Sequence, residues 1–244
     1  MTAPILQSHI PYDISKPNLP GVSPFEMKDW LWCDDAFASQ MALRDQLVRD
    51  LPGDVLAHRP EADAASVELL RYVLDWLAQW GAGYHIAAKE VIRPDGVHIA
   101  IAPDHPMQTL ARLIQADLCV LQKSGTEHVL TAAALCFPAN WRLEDKIGRP
   151  LGAIHDPVPD YDTALAKRVQ RLFDGVQVDR PLWRFNALRY ADPDLHQPLR
   201  RDSEYTRVRL EKDHEYIRSE RQCILRLPQT EACIFSIHTC VVKT

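Results

Sequence analysis

Two apolar runs, Leu118–Gln122 and His128–Phe137, are separated by a polar turn centred on Gly125. In the second run Leu130, Ala132, Ala134 and Cys136 alternate with Val129, Thr131, Ala133 and Leu135, so both faces are largely apolar. Side chains of a strand alternate between the two faces of its sheet. A strand that is apolar on both sides therefore needs cover above and below, from helices or from a ligand. That requirement places this hairpin at the centre of the fold, with the other elements layered around it.

The flanking sequence supplies those elements. Residues 1–24 carry Pro4, Pro11, Pro17, Pro20 and Pro24, a density that forbids a helix and predicts an extended arm, either laid across the domain or partly free. The Trp30-Leu31-Trp32 cluster and Phe37 predict that the arm's end is docked. Helices are predicted over 36–50, ended by Pro52-Gly53, and over 63–80, where Val67, Leu70, Leu74 and Leu77 share one stripe. Trp76 and Trp80 beside that stripe read as core. A Pro94-Asp95-Gly96 turn joins predicted strands from Ile86 to Ile92 and from Val97 to Ala102. A short helix follows over 105–116. Residues 141–155 hold two short helical pieces, the second ending at His155, because a residue before proline, here Asp156, is pushed out of the α region.

Beyond this point the pattern predicts an amphipathic helix over 161–175, a strand over 180–190, a Pro- and Asp-rich loop over 192–203 and a strand over 205–218. Ser219-Glu220-Arg221-Gln222 matches a capping box, which predicts a short helix through Leu227, stopped by Pro228. Ala232–Val242 closes the chain as a strand. No internal repeat or low-complexity tract is present. The expected architecture is α+β: one domain over 25–244, built on an antiparallel sheet flanked by helices, behind the proline-rich arm 1–24.

Charge and cysteine usage exclude several function classes. With 33 acidic against 28 basic residues the net charge is −5, without the basic surplus of a nucleic-acid-binding chain. No run approaches the ~18 apolar residues of a membrane span. The N-terminus MTAPILQSHIPYD lacks the basic-then-apolar order of a secretory signal. The six cysteines form no Cys-x-x-Cys pair, which fits small buried hydrophobes in a reducing compartment. A cytoplasmic location follows as an expectation.

Glycine-rich phosphate loops, GxSxG, HExxH and EF-hand patterns are all absent from the sequence. The chemistry then rests on individual residues. His155 follows Leu151-Gly152-Ala153-Ile154, whose small and apolar side chains leave room for a flat apolar ligand. It is either a ligand to haem iron or a helix-end histidine satisfied by a carbonyl. Tyr216, Arg218, Glu220 and Arg221 gather hydrogen-bonding groups that suit substrate or oxygen, or else form a helix cap with a surface ion pair. Lys146, Arg149 and Arg184 suit carboxylates such as propionates, or are solvated surface. His128 and His238, within predicted strands, read as structural.

Three blocks together resemble one family: DLCVLQ followed by LTAAALCFPANW, then KIGRPLGAIHDPVPDY, then IRSERQCILRLPQTEACIFSIHTCVV. The chain is similar to the haem-dependent oxidative N-demethylase family, whose α subunit contains a PAS-like haem domain, over roughly residues 25–243. The resemblance implies a PAS-like sheet with an N-terminal helical extension, holding haem b through its iron. It implies oxygen activation and removal of a methyl group, as formaldehyde, from a small secondary amine such as dimethylamine. Electrons would come from NADPH through a partner flavin and iron–sulfur reductase. By position in the motifs, His155 takes the axial-ligand role, and Arg218 or Arg221, with Glu220 and Tyr216, lies on the distal side. One departure stands out: Asn186-Ala187 replaces the Asn-Trp frequent in the family. A PAS-like haem or small-ligand sensor without turnover, and a non-haem iron site, are the alternatives.

Overall fold

The structure, a computed structural model, describes residues 3–15, 21–155, 163–198 and 214–244, the side chains of 155 and 163–166 excepted. Its centre is a seven-stranded antiparallel sheet. The strands are β1 (Ser23–Pro24), β2 (Leu56–His58), β6 (Asp117–Ser124), β7 (Glu127–Ala134), β8 (Leu182–Tyr190), β9 (Tyr216–Arg226) and β10 (Cys233–Lys243), in the order β1-β8-β9-β10-β6-β7-β2. A separate three-stranded sheet joins β3 (His85–Ile86), β4 (Glu90–Ile92) and β5 (His98–Ala100). The helices are α1 (Phe37–Asp50), α2 (Pro52–Val55), α3 (Asp63–Trp80), α4 (Pro106–Leu113), α5 (Leu151–His155) and α6 (Thr163–Gly175). The fold is α+β, as the element pattern predicts.

The two-faced hairpin is β6–β7, turned at Gly125, whose φ of 61° needs no Cβ. Its two faces enter two different cores. Leu118, Val120, Ala132 and Ala134 pack with Leu69, Leu70 and Val73 of α3 and Leu110 and Leu113 of α4. Cys119, Leu121, Leu130 and Ala133 pack with Leu151 of α5 and Phe173 of α6. Protein therefore covers both sides of the hairpin. Trp30 and Trp76 meet edge to face at 6.3 Å within the first core, where Trp30 Nε1 donates to Ser236 Oγ at 3.0 Å.

The described part of the arm is docked. Gln7 N donates to Val241 O at 2.9 Å, Val241 N donates to Gln7 Oε1 at 2.8 Å, and β1 adds to the edge of β8. Five cysteines are buried and all are free thiols, while Cys33 is exposed. No helix among the described residues is long and apolar enough to cross a membrane.

The expected helix over 219–227 is overturned. Ser219, Glu220, Arg221 and Gln222 lie inside β9, paired with β8 on one side and β10 on the other. The capping-box spacing is a weak local signal, whereas ladders on both sides satisfy every residue's backbone at once. The period-two alternation of Arg218, Glu220 and Gln222 with Ser219, Arg221 and Cys223 was the stronger pattern. β9 and β10 turn at Gln229 and Thr230, whose N–H groups donate to the Glu68 carboxylate at 2.7 and 2.8 Å. Of the strand predicted over 205–218, 205–213 lie outside the described residues, and β9 begins at Tyr216.

Candidate functional site

Helix α5 is positioned by the turn before it. Gly148, at φ 76°, allows a reversal that L side chains rarely adopt. Its N–H donates to Leu130 O at 2.8 Å, and Leu130 N donates to Arg149 O at 3.1 Å, so the turn is tied to β7. Lys146 Nζ donates to Ile154 O in the helix's last turn, and Arg149 is exposed. Ile147, Leu151 and Ile154 form an apolar layer with Val169, Leu172 and Phe173 of α6. His155 is the last residue of α5; its side chain and the following 156–162 lie outside the described residues.

The same sheet surface continues across to β9 and β8, and there it becomes polar. Arg184 opposes Gln222, Asn186 opposes Glu220 and Leu188 opposes Arg218. Glu220 opposes Thr239 on β10. Arg218 is 2% exposed; its Nη1 donates to Leu195 O at 3.0 Å and its Nη2 to Phe137 O at 2.7 Å. Its Nε stands 3.5 Å from Glu220 Oε1. The other oxygen of that carboxylate, Oε2, accepts from Asn186 Nδ2 at 3.0 Å and Gln222 Nε2 at 3.3 Å. Arg184 makes no hydrogen bond or ion pair to any described residue, and burial depresses its guanidinium pKa, against the opposing pull of Glu220. Arg184 Nε, Arg218 Nε and Thr239 Oγ1 are all buried without a hydrogen-bond partner. Arg218 Nε is compensated by the Glu220 charge, so Arg184 Nε and Thr239 Oγ1 remain, each at a cost of about 1–3 kcal/mol, and the pair suits a surface shaped for a polar ligand.

A buried ion pair sets the edge of this patch. Arg44 Nη1 meets Asp117 Oδ1 at 2.7 Å, and the Asp117 carboxylate accepts from Cys136 N and Phe137 N at 2.8 and 2.9 Å. That fixes the two carbonyls used by the site: Phe137 O takes Arg218, and Cys136 O pairs with His196 Nδ1 at 2.8 Å. A carbonyl can only accept, so His196 carries a proton on Nδ1. The sequence reading passed over His196. It sits in a loop that carries no motif, and only the tertiary contact with Cys136 singles it out.

The opposite face of β9 has another task. Arg221 Nη1 and Nη2 donate to Trp30 O and Asp29 O at 2.8 and 2.7 Å, and the guanidinium lies 4.2 Å over the Trp32 ring. Ser219 Oγ meets Tyr12 OH at 2.8 Å. Among the described residues one group of potential metal ligands converges, Asp34, His238 and Cys240, also on this face. Asp34 is already served there. Burial alone would raise its carboxyl, but hydrogen bonds from His238, Gln115 and Gln7, with the His238 charge, outweigh it and hold the pKa at about 2. His128 has both ring nitrogens engaged, Nδ1 with Gln170 Nε2 at 2.8 Å and Nε2 with Cys233 Sγ at 3.7 Å.

The structure thus brings Arg184, Arg218 and Glu220 together on one face and places Arg221 on the other. Tyr216, at the start of β9 opposite Tyr190, is half-buried against the α1–α4 core. Lys146 and Arg149 sit beside β7, four strand spacings from Arg184, or about 19 Å at ~4.8 Å each.

The family model described as "Haem-dependent oxidative N-demethylase, alpha subunit-like" matches residues 21–244. That match spans the α5 turn and β8, β9 and β10, the three strands of the polar patch. The chain belongs to the haem-dependent oxidative N-demethylase alpha-subunit-like family.

Proposed function

We propose that the chain is a haem-binding oxidative demethylase subunit that removes a methyl group from a small secondary amine. The observation that carries this reading is family membership over nearly the whole chain. Two features of the described residues support a haem site. The α5–α6 layer offers an apolar wall, and the buried, partnerless Arg and Thr groups offer a polar one on the same sheet surface. His155, at the end of α5, would hold the iron, with Lys146 and Arg149 near enough in the chain to meet propionate carboxylates.

Haem, when bound, supplies oxygen activation. The rest falls to side chains of the chain. The Glu220 carboxylate attracts an ammonium and orients its methyl group. Arg218, locked by two carbonyls, holds its Nε toward Glu220 Oε1 and steadies that carboxylate without having to reorganise. Asn186 and Gln222 hold Glu220 in place. The overall change consumes the amine, oxygen, two electrons and two protons, and yields the demethylated amine, formaldehyde and water. NADPH, through a partner flavin and iron–sulfur reductase, would supply the electrons.

The test is an absorption spectrum of protein made in haem-replete cells, followed by a formaldehyde assay with dimethylamine, NADPH and a reductase. A Soret band and formaldehyde release are expected. His155→Ala should lose the Soret band while its far-UV circular dichroism stays close to wild type. Colourless protein that takes up no added hemin would overturn the reading. Haem without any formaldehyde would favour a sensor.

A further inference from the structure

Arg184 stands out because no described residue makes a hydrogen bond or ion pair with it, and only the more distant charge of Glu220 acts on it. It is half-buried and has a fully buried Nε. Desolvating a guanidinium N–H without a partner is costly, and an anionic ligand brought to it would offset that cost. One strand away, and one step along the register, lies Glu220, the only carboxylate on that part of β9. Diagonal neighbours on a sheet face stand about 7–8 Å apart, enough to admit a short ligand between their charged ends. Glu220 Oε1 has no approach closer than Arg218 Nε at 3.5 Å among the described residues, so it keeps room for another donor.

A cationic amine alone explains half of this patch. It uses Glu220 and leaves Arg184 unanswered, with a like charge beside it. A ligand carrying both an ammonium and a carboxylate answers both residues. We infer that the substrate is a small zwitterionic secondary amine, of the N-methyl α-amino acid class, with its ammonium on Glu220 and its carboxylate on Arg184.

This rests on the demethylase reading above and narrows its substrate. One methyl C–H takes up one oxygen atom from O2, the second atom leaves as water with two electrons and two protons from the reductase, and the C–N bond of the resulting N-hydroxymethyl amine breaks. The products are formaldehyde and the free α-amino acid, whose carboxylate stays on Arg184 throughout.

The experiment is isothermal titration calorimetry of the haem-loaded protein with N-methylglycine and with dimethylamine, alongside the formaldehyde assay. N-Methylglycine is expected to bind at least tenfold more tightly. Arg184→Met should reduce that preference to within about twofold, and Arg184→Lys should restore part of it. Glu220→Gln should weaken both ligands. The ratio of Soret to protein absorbance is read on each variant. Equal or tighter binding of dimethylamine overturns the inference. So does a preference that survives Arg184→Met, or a loss of haem in that variant, which would assign Arg184 to a propionate. The two readings fail separately. Selective N-methylglycine binding without formaldehyde removes the demethylation and leaves the zwitterion site. Dimethylamine turnover without selectivity does the reverse.

Discussion

Arg184 and Arg221 carry the same charge on neighbouring strands, and their surroundings give them opposite tasks. Arg221 has two carbonyl acceptors from the Asp29–Trp30 turn and an indole beneath it. Charge-assisted hydrogen bonds and a desolvated cation–π contact together contribute about 3 kcal/mol. Arg221→Ala should therefore destabilise the protein by about that amount in urea unfolding, and expose the Asp29–Trp32 turn to limited proteolysis. Unchanged stability would mean that the contact is not holding that turn. Arg184 has no such partners. Arg184→Met should raise stability by about 1 kcal/mol, because an unpaired desolvated charge is removed and its alkyl length kept. For a chain of this size that is a shift of roughly 2–4 °C in Tm. A lower Tm would show that Arg184 has a structural partner after all.

At the scale of elements, the placement of α5 depends on one reversed turn. A Cβ on Gly148 would sit 2.8 Å from Arg59 Nη1, and φ 76° is unfavourable for any L side chain. The arginine end can swing away, so the backbone term dominates, at about 1–2 kcal/mol. Gly148→Ala should lose that much stability and bind hemin more weakly, since the same turn ties α5 to β7. Normal hemin affinity in a destabilised variant would separate the turn from the site. Strand β9 makes the complementary point. In its second half the alternation sends Cys223 and Leu225 to one core and Ile224 to the other. Neighbours in sequence, such as Glu220 and Arg221, cannot serve one site.

For the whole molecule, the arm is a stabilising layer as much as a leader into the fold. Gln7, Asp34, Gln115 and His238 join it to α4's flank and β10 through one carboxylate. The Asp34 pKa lies at about 2, below the ordinary value of about 3.9. A carboxyl with a depressed folded pKa adds stability above its unfolded pKa, and that stability is lost as pH falls through the folded one. Asp34→Asn should therefore destabilise the protein at pH 7, and the gap to wild type should narrow as pH drops from about 4 to about 2. A gap independent of pH across that window would mean that the charge of Asp34 contributes nothing.

Much of this protein was legible in the residue pattern. The two-faced hairpin, the existence of α3 and the Gly148–Pro150 turn rest on periodicity and turn chemistry, which act over a few residues, although Trp80, read as core, lies exposed at the end of α3. The β9 ladder was misread as a helix because a four-residue cap signal is local, while pairing is decided by strands tens of residues away. The polar patch was hidden for the same reason. Arg184, Glu220 and Thr239 lie far apart in the chain and become neighbours only through register. Only the folded sheet could show that Arg184 lacks a partner, because a charge is unpaired only with respect to everything packed around it.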